Sequence, residues 1–267
     1  MTALTHEFRA SYAFIERNFF LTRRYWGWEV AFLVYSAAGA LSVSLIGAYL
    51  GDAALLLSLV IGAIFWNYLS VIFSWIADTI AIERWEGTLE YTMMAPVRRY
   101  THLLGAALYA VVYGFIHTVA ILVVMVLFFP QLDLGRANFP SAVLVMLVGS
   151  FSFVGIGMMA AILPLLYVER GSQMTFVIQS VLLLISGVYY PITILPGWIQ
   201  VASHLSPATY VLDGVRGALI DGRSAFDQGA NLAPLVVMAI AFIPIGVWAF
   251  GRAERYAKRT GKLKRVG

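Results

Sequence analysis

Three carboxylates, Glu83, Glu86 and Glu90, stand at i, i+3 and i+7 in the stretch ERWEGTLEYTMMAP, residues 83–96. On a helix that spacing puts them on one face. Arg84 lies among them, and Trp85 and Leu89 form a neighbouring stripe. Such a surface offers charge and apolar grip to another molecule. It is not a place where bonds are made. The groups that covalent or metal chemistry needs are scarce. There is no cysteine, so thiol catalysis, thiolate metal sites and disulfides are excluded. The four histidines, His6, His102, His117 and His204, are scattered. Neither HExxH nor GxSxG occurs. Gly261–Lys262 is no phosphate loop, because Tyr256 stands where its first glycine belongs and Leu263 where Ser or Thr belongs.

The chain that must position these groups is 61% hydrophobic and 12% charged over 267 residues. Its mean hydropathy is +0.82. A soluble domain is about half apolar, so the expected solvent is a bilayer. A spanning helix needs roughly 20 mainly apolar residues. Charge-free runs lie between Glu29 and Asp52, Asp52 and Asp78, Arg99 and Asp133, and Arg136 and Glu169. A fifth, from Arg170 to Asp213, is too long for one span and contains Pro191, Pro196 and Pro207. The sixth lies between Asp227 and Arg252. These runs predict an all-α integral membrane domain over residues 1–267, with six spans and a broken segment after the fifth.

With both termini in the cytoplasm, fifteen of the 18 basic residues fall inside, leaving Arg136, Arg216 and Arg223 outside. Residues 1–24 are charged and lack an apolar signal region, so the first span is expected to insert the chain. Leu4, Phe8, Tyr12, Ile15 and Phe19 recur at spacings of three and four, which predicts an amphipathic helix on the inner membrane surface. Tyr25, Trp26 and Trp28 follow as an interfacial anchor. Residues 252–267 read as a basic cytoplasmic tail drawn to anionic lipid, not to nucleic acid. Residues 78–99 become a cytoplasmic loop, its helix stopped by Pro96. Held between two spans, that helix is a mechanical handle.

E-R-x-E-G-T-L-E followed by x-P-x-R resembles the cytoplasmic loop of ABC-2 type permeases, the membrane subunits of a class of ABC transporters. Ser186-Gly187-Val188-Tyr189-Tyr190-Pro191 with Leu195-Pro196-Gly197-Trp198 resembles that family's segment after span five. Ser206-Pro207-Ala208-Thr209-Tyr210 through Arg216 resembles its NP-x-TY…R stretch, with Ser206 where Asn is frequent. The resemblance implies that Glu83, Arg84, Trp85, Glu86 and Glu90 couple to a separate ATP-binding subunit, and that residues 1–24 form a connecting helix beside it. It implies a second permease copy, with a homodimer expected. No cofactor is expected on this chain, ATP and Mg being bound by the partner ATPase. Localisation would be the plasma (inner) membrane.

In the segment 190–212, the resemblance implies short re-entrant helices and an extracellular gate built from Tyr190, Pro191, Pro196, Trp198, Pro207 and Tyr210. Non-helical backbone at membrane depth must be buried in protein or reach water, which suits the same reading. Deep polar groups are functional candidates. Since spans two and five line the family's substrate path, Asn67, Tyr68, Gln179 and Ser180 are the expected path residues. Phe65 and Trp66 could stack on a flat substrate or simply pack, and His117 fits an interhelical hydrogen bond. Ser36, Ala40, Ser44 and Ala48 form a small-residue packing stripe, and Gly149, Gly155, Gly157 and Pro164 predict close packing and a kink. The expected activity is ATP-driven export of a drug-like or lipid-like amphiphile, with lipid-linked glycan export as the alternative. A proton-coupled carrier would want a carboxylate well inside a span, whereas Glu29, Asp52 and Asp78 mark predicted span ends. A membrane enzyme would need clustered His, Asp or Glu at one depth.

Overall fold

A computed structural model describes residues 3–95, 97–167 and 170–263. Pro96, the expected helix stop, lies outside these, as do Glu169, residues 264–267 and the side chains of Leu4, Phe8 and Arg99. All regular elements among the described residues are helical. They run α1 (Ala3–Arg24), α2 (Trp26–Tyr49), α3 (Ala53–Glu86), α4 (Leu89–Met94), α5 (Arg99–Phe128), α6 (Phe139–Ala160), α7 (Ile162–Leu166), α8 (Gly171–Ile185), α9 (Gly197–His204), α10 (Pro207–Leu219) and α11 (Gly229–Arg259).

Among the described residues, five stretches are long and apolar enough to cross a membrane: α2, α3, α5, α6 with α7, and the segment containing α11. Helix α8, the expected fifth span, has 15 residues. At 1.5 Å per residue it reaches about 22 Å, short of a hydrocarbon core of about 30 Å. Gly187, with φ of 65°, follows and turns the chain. The break therefore comes before the three prolines that were expected to make it.

Helix α3 is the axis of the fold. Asp52 caps its first turn by accepting hydrogen bonds from the amides of Ala54 and Leu55 at 2.9 and 3.0 Å. Its side chains are buried on nearly every side, including Tyr68, Leu69, Ile72, Phe73 and Ile76. Small residues bring its neighbours close. Ala40 and Ser44 of the predicted stripe are buried, Ser36 and Ala48 half-buried, and a Cβ on Gly47 would lie 2.6 Å from the Leu56 backbone. The stripe is thus an α2–α3 face within one subunit. A Cβ on Gly155 would lie 2.5 Å from the Phe242 backbone, and one on Gly246 2.7 Å from the Gly155 carbonyl, so α6 and α11 pack backbone to backbone. Gly149 meets Val211 and Gly157 meets Ile76. The helix breaks at Ala161, three residues before Pro164, as a proline in that position dictates.

The outer faces are apolar. Tyr35, Val112, Ile116, Leu127, Val177 and Ile240 are all more than half exposed. A surface of this kind is stable against lipid and not against water. Helix α1 lies against the start of α5, with Ser11 Oγ donating to the Thr101 carbonyl at 3.3 Å and the Tyr109 hydroxyl to Thr22 Oγ1 at 2.6 Å. Tyr12 and Phe19 of its predicted stripe remain exposed.

Glycine at position 62 admits the Val188 carbonyl against α3, and a Cβ there would overlap that oxygen. Gly62→Ala should destabilise the protein by about 1–3 kcal/mol. Gly39→Ala, where nothing lies within 4 Å, should be close to neutral. Thermal unfolding of the two variants in one detergent checks the contrast.

Candidate functional site

The acidic stretch sits at the end of the bundle that carries both chain ends. Its geometry differs from the single helix expected. Gly87 adopts a left-handed conformation, φ 75°, and caps α3, its amide donating to the Glu83 and Arg84 carbonyls as the helix ends. A second short helix, α4, then begins at Leu89. Glu83 and Glu86 therefore belong to α3 and Glu90 to α4, and the three carboxylates do not share one helix face. The signal was present in the sequence as a lone glycine inside a helical pattern, which marks a helix end.

Glu83 is fully buried. Its Oε1 accepts from Arg17 Nη1 of α1 at 2.5 Å and lies 3.0 Å from His102 Nε2 of α5. The expected docking carboxylate is instead the centre of a three-helix clamp. Phe14 packs against His102 in a tilted pair with ring centroids 4.5 Å apart, closing the clamp from the α1 side. Arg84 also points inward. Its Nη2 donates to the Leu165 carbonyl of α7, and its Nη1 to the Lys262 carbonyl at 2.9 Å. Lys258 Nζ of α11 reaches the Met93 carbonyl at 3.2 Å while pairing with Glu254 at 2.7 Å. The basic tail thus begins as the last turns of α11 and holds the corner together. Lys262 lies 5.7 Å from the centre of the Tyr167 ring.

What this corner offers to the outside is Trp85, Tyr91 and Met94, each more than two-thirds exposed, together with exposed Glu90 and half-exposed Glu86. Leu89 and Met93 are buried beneath them. A rigid base thus carries a small apolar and acidic surface.

The opposite end is held by a second clamp. Arg216 of α10 donates to the carbonyls of Gly187 and Val188 at 3.1 and 2.6 Å. These are the backbone groups that the turn after α8 leaves free. Ser186 and Ser206 hydroxyls lie 2.7 Å apart, so Ser206 ties α8 to α10 and does not cap its own helix. Thr209 Oγ1 donates to the Ser203 carbonyl at 2.8 Å. Of the expected gate residues, Pro191, Pro196 and Trp198 are exposed, Tyr190 and Tyr210 half-buried and Pro207 buried at the start of α10. The Tyr190 hydroxyl reaches the Leu184 carbonyl at 2.6 Å, and that of Tyr210 the His204 carbonyl at 3.1 Å.

Among the expected path residues, Tyr68 is fully buried, with its hydroxyl 2.5 Å from Ser150 Oγ. It faces α6, and Phe65 and Trp66 are also buried. Asn67 is half-buried and its Oδ1 has no hydrogen-bond partner among the described residues. Gln179 accepts from Ser74 Oγ at 3.4 Å, linking α8 to α3. Ser180 is exposed and bonds to its own helix at Phe176. His117 bonds within α5 to the Tyr113 hydroxyl at 3.2 Å, where an interhelical bond was expected. Asp78, expected at a span end, lies inside the continuous α3, two turns before its end. Among the described residues no group of three or more His, Cys, Asp or Glu could hold a metal.

Removing Glu83 leaves Arg17 and His102 facing each other in a buried site. Glu83→Ala should cost about 3–5 kcal/mol of stability, and Trp85→Ala no more than about 0.5 kcal/mol. Detergent unfolding curves of the two purified variants give the comparison.

No curated protein matches the chain. The profile of the ABC-2 type transporter family matches residues 12–220. That stretch takes in α1 from Tyr12 onward, α2 to α10, the clamp residues Arg17, Glu83, His102 and Arg216, and the exposed corner. With an all-helical fold and several membrane-spanning helices, the chain belongs to the ABC-2 type transporter family as a membrane permease subunit.

Proposed function

We propose that the chain is the permease of an ATP-driven exporter, that the α3–α4 corner docks on a separate ATP-binding subunit, and that two copies of the chain form the pore. The observation that carries this reading is the exposed patch of Trp85, Glu90, Tyr91 and Met94 on a corner whose Glu83 and Arg84 side chains are locked to α1, α5 and α7 and whose Met93 carbonyl is held by Lys258 of α11. A patch so mounted transmits displacement to α3 instead of absorbing it. The exposed aromatic and carboxylate groups suit a cleft with apolar and basic walls. ATP and Mg would be held by the partner. The end bearing both chain termini lies in the cytoplasm under this reading, in keeping with the distribution of basic residues.

Closure of two ATP-bound partners would draw the corners together, and α3 would carry that motion across the membrane. At the far end, α9, α10 and the turn at Gly187 would act as the outer gate, with Pro191, Pro196 and Trp198 available to a second copy. The cargo best suited to so apolar a helical bundle is a drug-like or lipid-like amphiphile leaving through the plasma membrane.

Reversing Glu86 and Glu90 to Lys should lower ATP-driven uptake into inverted vesicles by about ten-fold or more, the equivalent of ~1.4 kcal/mol of lost docking. The unfolding temperature should stay unchanged, because neither side chain belongs to a clamp. Normal transport by the double variant removes the docking role of the corner. A Trp198→Cys variant cross-linked between copies should also stop transport, and unimpaired transport after complete cross-linking removes the gate.

A further inference from the structure

A cavity of about 870 Å³ opens beside α3 at the terminus-bearing end. It lies within one chain, between the end of α1, the first turns of α2, the second half of α3 and the middle of α5, with Phe176 of α8 at its edge. Its size suits a small organic molecule. Trp28, Phe32, Trp75 and Tyr113 supply aromatic surface from three helices. Trp75 and Tyr113 pack in a tilted pair, centroids 4.6 Å apart and planes at 36°, and form one wall.

Two carboxylates face the same space. Glu29 accepts a hydrogen bond from the Tyr113 hydroxyl. Asp78 lines the cavity with no ion pair or hydrogen bond among the described residues. The one cation of the lining, Arg17, is balanced by Glu83, 2.5 Å from its Nη1, while its Nη2 is buried without a hydrogen-bond partner among the described residues. The cavity therefore carries uncompensated negative charge. Trp75 Nε1 and His117 Nδ1 in its wall are also buried without hydrogen-bond partners among the described residues. A carboxylate set into aromatic walls is poorly solvated, and it is stabilised by an organic cation that also lies against ring faces.

We propose that this cavity is a binding site for an amphiphilic cation, with Asp78 as its counter-ion and the Trp75–Tyr113 wall as its apolar and cation–π surface. The site deepens the permease reading, on which its role in transport rests, by giving the cargo a charge. The cavity begins at the Tyr25–Trp28 interfacial segment, so the cation enters from the headgroup level of the inner leaflet with its apolar part already in lipid. Glu29, held by Tyr113, contributes less than the unpaired Asp78.

Tetraphenylphosphonium and tetraphenylborate have the same shape and opposite charge, which makes them the probes. Each is measured by equilibrium binding to the purified chain in nanodiscs of neutral lipid, with empty nanodiscs as the baseline. The phosphonium should bind saturably and the borate should not. Asp78→Asn should weaken phosphonium binding at least about ten-fold, Asp78→Glu should restore most of it, and Glu29→Gln should weaken it less. A bulky substitution, Val71→Trp, should block the cavity with both carboxylates still present. Equal binding of the two probes, or phosphonium binding unchanged in Asp78→Asn, overturns the site. The measurement needs neither ATP nor a partner subunit. Its failure therefore leaves the permease reading standing, and failure of ATP-driven transport leaves the binding result standing.

Discussion

The structure depends on α3, a single long helix held near both ends by the elements around it. Its 34 residues span about 51 Å, well beyond a hydrocarbon core of about 30 Å. The surplus lies at the end that carries the chain termini, where Glu83 and Arg84 would be exposed if nothing met them. They are met from three other helices and from the turn after α11. An ionised carboxylate and a guanidinium removed from water are tolerable only with partners in hydrogen-bond range. Arg17 and His102 on one side, and the Leu165 and Lys262 carbonyls on the other, supply those partners. Because the clamps use charge and backbone geometry, they fix orientation more sharply than apolar packing does.

The far end uses a different device for the same purpose. The turn after α8 exposes the Gly187 and Val188 carbonyls, which lipid could not satisfy. Arg216 satisfies both, and Gly62 provides the space for Val188 to reach α3. Helix α3 is thus touched at one end by the corner and at the other by the broken segment. A shift of one contact has to be felt at the other, since the buried side chains between them, from Tyr68 to Ile80, leave little slack.

Much of this was legible in the sequence. Charge-free runs placed the membrane helices because a charge in hydrocarbon is costly whatever the tertiary structure. Small-residue spacing in α2 and α6 marked close packing correctly, since a missing side chain is a local property. What stayed hidden was which polar groups turn inward. Glu83 and Glu90 look alike in the sequence, yet one is buried in a clamp and the other exposed. The difference is made by His102 and Arg17, 19 and 66 residues away. Arg216 read as an outside charge for the same reason, its acceptors lying 28 and 29 residues upstream. Asp78 read as a span boundary because a charge usually ends an apolar run, while α3 carries on past it.

The bond from Arg84 to the Lys262 carbonyl has a consequence for biosynthesis. The donor emerges from the ribosome 178 residues before the acceptor. Until the final helix has been threaded and folded back, the guanidinium lacks one of its partners and the corner is unfinished. The corner therefore takes its final form only after residue 262 has been made, long after its own residues have left the ribosome.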